Sequence, residues 1–587
     1  MEGQGYRYGP WMSDSWDFGD GSSRGADAEQ NFAALADTIV DHWLARDPVT
    51  ATALGDHRFD DRLPDLSDEG IEESLTTLDH ALGAIDQVDD LALGTESAVD
   101  LEILRARIAG ERFLLEGLAP HTWNPLVANP GTAIHLLLAR DFAPVEQRVE
   151  SLAGRLRAIP ELLETARRSL TSMPRVHVET AIGQFRGTQE LLRVPVDEAL
   201  EQVPEMRLRI DPLRAEAQGA LDAHIGWLQD LLDSDLATRD PRLGPETFAA
   251  KLWATLDAHL TPDDVLRRAE GDLARIEGEI ARAAAEYLGE PVPPPDDAAR
   301  LVRRALSAVA ESGPVDDTTV LPLCRSAYDS TLAFVVEHEL VTVPDVSVDI
   351  VEMPEIHRGV AVAYCDPPGP LESRPLPTFF AVSPTPADWG AERVASFYRE
   401  YNAHMLQNLA IHEAMPGHVL QLGHNNPARH HNRVRSAFRS GPFAEGWAVY
   451  AEQLMAEHGY APSGTTSADR DRAALAIRLQ QLKMQLRTTI NAILDVRVHT
   501  RGMTEDEALR LLQVRGHQEE GEAVGKWRRA LLTSAQLSTY YVGFIAIGDV
   551  VRELTAARPG WSERQVHDAV LAHGTPPPRH LPALLGI

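Results

Sequence analysis

The sequence is poor in cysteine, in long apolar runs and in basic residues. Only two of its 587 residues are cysteines, too few for a disulfide framework or a four-cysteine zinc site. It contains no apolar run of about 18 residues, which argues against a membrane-spanning helix. Acidic residues outnumber basic ones by 88 to 55, for a formal net charge of -33. Such an excess of carboxylates disfavours nucleic acid and anionic membranes as partners.

The N-terminus also lacks the apolar segment of a secretory signal. Residues 1–25 are rich in glycine, serine and aspartate, and we expect a flexible tail there. The two thiols, Cys324 and Cys365, fit a reducing compartment, so a cytoplasmic location is expected. Hydrophobic residues make up 44% of the chain and charged residues 24%, the balance of a globular protein with a substantial core.

What the chain does contain is helical periodicity. Apolar residues at 32, 35, 39 and 43 fall on one helix stripe, and similar spacing continues to about residue 290. Apolar residues alternate only around Val346–Ile350 and Val360–Tyr364, followed by TFFAV at 378–382, which predicts three short strands. The fold class expected is mainly α, with a small sheet inserted just before the residues that carry the chemistry.

We therefore expect one large helical domain over residues 26–587. Its parts are an N-terminal helical region, a second group of helices, the small sheet and a C-terminal helical region (26–290, 299–340, 341–385 and 386–587). The proline-rich segment 289–297 separates the first two as a loop or linker.

The segment IHEAMPGHVLQ (411–421) resembles a zinc-hydrolase helix, but its histidines are six residues apart rather than four. On a regular helix, His412 and His418 would be separated by about 120° and about 9 Å, too far to share one ion. Pro416 cannot donate the helix hydrogen bond and Gly417 tolerates unusual dihedrals, so we expect a break that brings His418 to the metal. Glu413 would then activate water. The alternative is an ordinary helix end with His418 at the surface.

A second segment, GPFAEGWAVYAEQL (441–454), offers two carboxylates seven residues apart on one helix face. Glu445 would complete a His, His, Glu ligand set with a fourth position open for water, the pattern of catalytic zinc. Glu452 would orient a ligand histidine from behind. The alternative is a solvated acidic stripe on an amphipathic helix.

Downstream residues are candidates for stabilising an oxyanion or binding substrate. His499 lies in LDVRVHTRG (494–502), and Tyr540 and Tyr541 lie in AQLSTYYVG (535–543). Tyrosine or histidine commonly donates to the oxyanion in such enzymes, although a helix tyrosine can equally belong to the core.

Four motifs in this order, HEAMPGH, EGWAVYAE, DVRVH and QLSTYYVG, resemble the bacterial domain-of-unknown-function 885 family. Its members read approximately HExxPGHH, EGWAxYxE, DTGLH and QxLSYxxG. The segments 47–67 and 352–368 also look like that family, so the resemblance spans nearly the whole chain.

The resemblance carries further expectations. The family is similar in architecture to Taq-type zinc carboxypeptidases and, more loosely, to thimet-type oligopeptidases and angiotensin-converting enzyme. It implies a zincin-like helical body with a central cleft, one Zn²⁺ ion, and Glu445 rather than Glu452 as the ligand. His499 and Tyr540 match the downstream histidine and tyrosine.

The sequence departs from the family pattern in two places. Val419 replaces the second histidine of the PGHH pair, so His418 is the expected ligand and His424 the fallback. Val496 and Arg497 replace the usual Thr-Gly after Asp495, which we expect to support the site from behind. Arg497, together with Tyr541 and Tyr364, is expected to contact substrate.

The function expected is zinc-dependent hydrolysis of short peptides, with Glu413 as general base. Two alternatives remain: a non-catalytic helical binding or scaffold protein with a structural metal, and a zinc amidohydrolase acting on a non-peptide amide. A di-iron bundle would need paired Glu-x-x-His units, and none is evident. A homodimer is possible on the sequence alone.

Overall fold

The computed structural model is 71% helix and 3% strand, which confirms the mainly α class predicted from the sequence. It describes residues 26–353, 362–425 and 432–587. The expected tail at 1–25 and Val360 of the second predicted strand lie outside the described residues. Among the described residues, no helix is both long and apolar enough to cross a bilayer.

Helices occupy most of the chain on both sides of a short β region. Those before it are α1 (Ala26–Arg46), α2 (Pro48–Leu54), α3 (Asp68–Ile85), α4 (Thr95–Arg112), α5 (Gly131–Leu138), α6 (Val145–Ser169), α7 (Arg175–Arg193), α8 (Pro195–Gln202), α9 (Arg207–Asp233), α10 (Pro245–Leu256), α11 (Pro262–Leu288), α12 (Pro295–Ser312) and α13 (Val320–Glu337). Those after it are α14 (Ala391–Glu400), α15 (Ala403–Glu413), α16 (His418–His424), α17 (Val434–Ala437), α18 (Gly441–Glu457), α19 (Arg470–Arg501), α20 (Glu505–Arg510), α21 (Glu520–Leu532), α22 (Ser538–Ala557), α23 (Glu563–Leu571) and α24 (Leu581–Leu585).

Several helices begin at a capping residue that can be recognised in the sequence. The side chain of Thr261 caps α11 in a reciprocal pair with Asp264, one residue before Pro262 begins the helix. Thr504 and Ser562 form the same capping box with Glu507 and Gln565 at the starts of α20 and α23. These caps satisfy backbone N–H groups that would otherwise lack partners at a helix start.

The sheet has three short strands, β1 (Val348–Glu352), β2 (Ala363–Asp366) and β3 (Thr378–Val382), in the order β1-β3-β2. β3 pairs parallel with β1 and antiparallel with β2. The carbonyl of Val362 accepts from the N–H of Ser383. Because backbone groups alternate sides along an antiparallel strand, Ala363 and Cys365 direct their N–H and C=O groups toward the outer edge of β2.

The 32-residue helix α19 runs through the interior of the C-terminal region. It packs against α11, α15, α18 and α22. Its buried positions include polar side chains as well as leucines and isoleucines, among them Gln480, Asn491, Asp495 and His499. Asp495 accepts from backbone N–H groups at the start of α22, and His499 contacts the carbonyls of Ala530 and Thr533, so these two buried side chains join α19 to neighbouring segments.

Helices α18 and α22 approach each other most closely at two glycines. A Cβ atom on Gly446 would lie 2.2 Å from the carbonyl carbon of Gly543, and a Cβ on Gly543 would lie 1.9 Å from the carbonyl oxygen of Pro442. The two backbones therefore touch without side chains between them. This contact sets the distance between the helix that carries Glu445 and the helix that carries Tyr540.

We expect Gly446→Ala to destabilise the fold, because the new methyl group must push α18 and α22 apart, at about 1–3 kcal/mol for overpacking. The measurement is the urea midpoint of unfolding. Gly183→Ala is the matched control: this helical glycine on α7 is exposed and has nothing within 4 Å of its virtual Cβ. Its replacement should leave stability unchanged or raise it. Equal midpoints for the two variants would contradict the tight crossing.

Candidate metal centre

The helix that begins the HEAMPGH segment breaks where Pro416 and Gly417 occur. α15 ends at Glu413, Ala414 leaves the helical region with φ -122 and ψ -85, and α16 starts at His418. The N–H of Gly417 donates to the carbonyl of Ile411 over 2.9 Å. The predicted break is confirmed, and its effect is to turn His418 back toward His412.

Gly417 has no room for a side chain at this turn. A Cβ atom there would lie 1.8 Å from the carbonyl oxygen of His412. The turn is also held from α18, because the indole N–H of Trp447 donates to the carbonyl of Pro416 over 2.8 Å. Trp447 is fully buried. One tryptophan thus links the turn between the two histidines to the helix that supplies Glu445.

The three predicted ligands come together. Nε2 of His412 lies 3.6 Å from Oε2 of Glu445, and Nε2 of His418 lies 3.7 Å from the same oxygen. One potential ligand atom from each residue falls within 4.8 Å of the other two. Among the described residues, no second group of three histidine, cysteine, aspartate or glutamate side chains converges in this way. Two imidazoles and a carboxylate at this separation fit a single divalent cation.

The Glu452 carboxylate contacts the ring nitrogen of His412 that does not face Glu445. Its Oε1 lies 2.7 Å from Nδ1 of His412, and its Oε2 accepts a 2.7 Å hydrogen bond from the side-chain amide of Asn408. A proton on Nδ1 shared with this carboxylate leaves Nε2 of His412 free to face Glu445. Glu452 is fully buried, so its charge is compensated by these two neighbours rather than by water.

The charges of the cluster are strongly coupled. Burial opposes protonation of His412, but the nearby carboxylates of Glu445 and Glu452 outweigh it and raise the pKa of His412 well above its usual value. Burial likewise raises the pKa of Glu445, yet the nearby imidazoles of His412 and His418 lower it overall. The Glu445 carboxylate is therefore ionised, as a metal ligand must be.

Glu413 lies beside the ligand set and is not part of it. Its Oε2 accepts a 3.0 Å hydrogen bond from the backbone N–H of Cys365, on the outer edge of β2. Burial raises the pKa of Glu413, and the nearby imidazoles of His412 and His418 counteract only part of this rise. The small sheet therefore supplies the contact that orients this carboxylate.

Asp495 is buried in α19 and holds the start of α22. Its carboxylate accepts from the backbone N–H groups of Ala535 and Ser538, at 3.0 Å each, and from the Ser538 hydroxyl at 2.7 Å. Tyr540 follows within the first turn of α22 and lies one turn before Gly543. Its hydroxyl oxygen accepts from the guanidinium of Arg529 over 3.2 Å. Asp495 thus fixes the helix end from which Tyr540 projects.

His499, the predicted oxyanion donor, has backbone partners on both ring nitrogens. Its Nδ1 accepts from the N–H of Leu243, and its Nε2 donates to the carbonyls of Ala530 and Thr533. The side chain is buried and stacks on Phe248. With both ring nitrogens occupied by backbone groups, His499 joins three segments of the fold and has no donor left for a substrate.

Other predicted residues also have partners away from the cluster. Tyr541 is buried and donates to Asp272 over 2.6 Å, and Arg497 is half exposed and ion-paired with Glu270. His424, the fallback ligand, contacts the carbonyl of Thr342 instead. Tyr364 lies on β2 next to Cys365, where burial raises its pKa.

The sequence analysis did not identify three groups that support the site: Asn408, Trp447 and the backbone N–H of Cys365. Asn408 precedes His412 by one helical turn, a spacing that places both on one face of α15. That spacing was a usable signal. The other two contacts depend on how the turn and the sheet meet α18 and α15, and residue type alone does not reveal them.

The DUF885 family, described as bacterial protein of unknown function, matches residues 48–585. The chain belongs to the DUF885 family. No curated protein matches it. A solved structure from Shewanella oneidensis, described provisionally as a lipoprotein of unknown function, is similar with a TM-score of 0.78 and 26% identity, covering 94% of this chain and 98% of that one. A second, from Colwellia psychrerythraea and also described provisionally as a lipoprotein, has a TM-score of 0.77 at 17% identity, covering 95% and 98%, and shows the shared fold.

The lipoprotein descriptions belong to those two proteins. They give no support to the cytoplasmic location expected from the N-terminal sequence, which stays a prediction for this DUF885 protein.

We expect Glu452→Gln to weaken zinc binding by about 10- to 100-fold, because the amide no longer compensates and orients the imidazole of His412. Competition with a chromophoric chelator measures the affinity. Glu457→Gln is the matched control, since Glu457 is exposed on the same helix. Equal zinc affinities in the two variants would contradict the supporting role of Glu452.

Proposed function

We propose that this DUF885 protein is a zinc-dependent hydrolase of peptide bonds in short peptides. The observation that carries the proposal is the convergence of His412, His418 and Glu445 within 4.8 Å, with the Glu413 carboxylate oriented beside them. Three protein ligands with a separate carboxylate are the chemistry of catalytic zinc, whereas structural zinc sites use four protein ligands.

The residues present fit a zinc ion. His412 and His418 supply borderline-soft nitrogen donors, Glu445 supplies an ionised oxygen donor, and the Glu452 carboxylate fixes the tautomer of His412. When bound, the ion supplies Lewis acidity and lowers the pKa of a water molecule at the open position.

Two groups of this chain then handle protons. Glu413 takes a proton from the attacking water and transfers it to the leaving amine. The Tyr540 hydroxyl donates to the oxyanion, since Arg529 approaches its oxygen and leaves its proton available. Asp495 contributes indirectly by holding the first turn of α22.

The sheet supports recognition of an extended peptide. The outer edge of β2 offers the backbone groups of Ala363 and the carbonyl of Cys365, while the N–H of Cys365 donates to Glu413. A peptide that pairs with this edge would pass next to the proposed base. We infer a zincin-like arrangement, similar to the Taq-type and thimet-type peptidases, in which a helical body with a cleft admits short peptides.

We expect Glu413→Gln to retain zinc while its peptide hydrolysis falls by about 100-fold or more, because the isosteric amide cannot accept the water proton. Metal analysis by mass spectrometry and digestion of a peptide library measure the two properties on the same sample. Chelator should abolish the wild-type cleavage and added zinc should restore it.

The same experiment separates the alternatives. Zinc without any cleavage by the wild type would favour a scaffold with a structural metal, and cleavage confined to non-peptide amides would favour an amidohydrolase. Equal activity of the Glu413→Gln variant and the wild type would reject Glu413 as the base.

We expect Tyr540→Phe to lower kcat by about 100- to 1000-fold with little change in KM, as for loss of one oxyanion donor. Tyr541→Phe is the matched control because its hydroxyl contacts Asp272. That variant should lose stability and keep kcat. Steady-state kinetics on one cleaved peptide decides between them, and a larger kcat loss for Tyr541→Phe would reverse the assignment.

A further inference from the structure

The segment that joins β2 to β3, residues 367–377, packs against the end of α2. The N–H of Leu371 donates to the carbonyl of Leu54 over 2.8 Å. A Cβ atom on Gly55, the residue that ends α2, would lie 2.4 Å from the backbone nitrogen of Glu372. The two stretches of backbone therefore approach each other without side chains between them, and this brings Glu372 to the turn that follows α2.

His57 lies in that turn and contacts a carboxylate through each ring nitrogen. Its Nδ1 lies 2.9 Å from Oδ2 of Asp60, and its Nε2 lies 3.0 Å from Oε2 of Glu372. The imidazole also stacks on the uncharged ring of Phe142, from the loop after α5, with ring centroids 3.9 Å apart and 4° between the planes. The contact with Glu372 joins residues that are 315 positions apart in the chain.

This geometry specifies the protonation state of His57. A neutral imidazole carries one N–H group, so it can donate to one carboxylate and must present a lone pair to the other. The imidazolium donates to both. The side chains of Asp60 and Glu372 are each only 5% exposed, so water is a poor substitute for a lost donor. The protonated ring is the form that fits both partners.

The charges around His57 favour the same state. Burial opposes protonation of His57, but the hydrogen bonds and charges of Asp60 and Glu372 outweigh it and raise the pKa of His57 above its usual value. Asp60 faces the ring from its own turn, and Glu372 faces it from the β2–β3 segment. Arg155 of α6 approaches the cluster through the hydroxyl of Thr52, to which it donates over 2.6 Å, and that hydroxyl lies 2.7 Å from Oδ1 of Asp60.

We propose that His57 is a pH-sensitive clasp, which holds residues 367–377 against α2 when protonated and loosens that segment when it loses its proton. The stabilising contribution of the clasp is complete below a pH of about 6.5, the usual pKa of a histidine in an unfolded chain, because the folded-state pKa of His57 is the higher of the two. The contribution is lost as the pH rises through the pKa of folded His57. This inference does not depend on the proposed hydrolase function.

Arg140 holds the two ends of the same segment without such sensitivity. Its guanidinium pairs with the Asp366 carboxylate at 2.9 Å and donates to the carbonyl of Pro377 over 2.7 Å. An arginine keeps its charge throughout the pH range in which a histidine titrates. Opening should therefore be confined to the middle of the segment, and β2 and β3 should stay paired.

Hydrogen–deuterium exchange of the full-length protein between a pH of about 6 and about 9, corrected for the intrinsic exchange rate, measures the opening. The backbone N–H groups of Leu371, Glu372 and Arg374 each donate a hydrogen bond in the closed segment. We expect their protection to fall by about 10- to 100-fold with rising pH, the effect of one charge-assisted hydrogen bond, while β2 and β3 keep theirs. Unchanged protection of these three groups would overturn the proposal.

Two variants should respond in opposite ways. Glu372→Gln should keep the segment protected at high pH, because its amide can donate to the unprotonated Nε2 of His57 while the N–H at Nδ1 donates to Asp60. His57→Gln should lower protection at low pH and remove the pH dependence. His458→Gln is the matched control and should behave like the wild type, since His458 pairs with Glu563 at 3.0 Å instead. A pH dependence that survives in His57→Gln would assign the opening to another group.

Proton NMR of the histidine rings provides a readout that does not involve exchange. The signal of His57 is the one missing from His57→Gln, and it is also the one whose titration moves toward the ordinary value in Glu372→Gln, so either variant identifies it. In the wild type this ring should titrate above a pH of about 6.5, with a midpoint that coincides with the loss of protection. Titration at or below that value would show that the neutral ring is the native form, and the clasp would be rejected.

Discussion

The close approach of Gly417 to the carbonyl of His412 is the constraint on which the candidate metal centre depends. A helix that continued past Glu413 would carry His418 away from His412. The chain instead leaves the helix at Ala414, turns through Pro416 and restarts at His418, and only a residue without a Cβ fits where the turn closes on itself. Trp447 joins this turn to the helix of Glu445, so ligand convergence and helix packing are established by the same side chains.

Behind the centre, buried polar groups take the place of a uniformly apolar core. The Glu452 carboxylate accepts hydrogen bonds from His412 and Asn408, and the Asp495 carboxylate accepts one from the backbone at the start of α22. His499 joins backbone segments in the same region. Each such group costs solvation energy unless its partners are well placed, so this interior tolerates little variation in geometry. The glycine contact between α18 and α22 adds a fixed distance between the two helices.

Much of this architecture is predictable from the sequence, and for identifiable reasons. Helical periodicity, capping residues and the alternation around residue 348 are local patterns, and they give the helices and the sheet. The break at Pro416 follows because Pro416 has no backbone N–H to donate and Gly417 has no side chain. The position of Glu445 and Glu452 on one face of α18 follows from their spacing of seven residues. These features depend on residues close together in the chain.

What the sequence could not provide depends on distant contacts. The motif around His499 does not reveal that its Nε2 donates to the carbonyls of Ala530 and Thr533. Nor does the sequence around Tyr541 reveal that its hydroxyl donates to Asp272. Likewise, the sequence around Arg497 does not reveal that Glu270, on a distant helix, forms an ion pair with it.

The hydrogen bond from Cys365 to Glu413 has a consequence for strand register. Along β2, alternate residues direct their backbone groups toward β3 or away from it. If β2 slipped by one position against β3, the amide opposite Glu413 would turn inward and the carboxylate would lose its donor. Insertions or deletions between β2 and β3 that shift this pairing should therefore disturb the orientation of the proposed base even though they leave every candidate metal ligand intact.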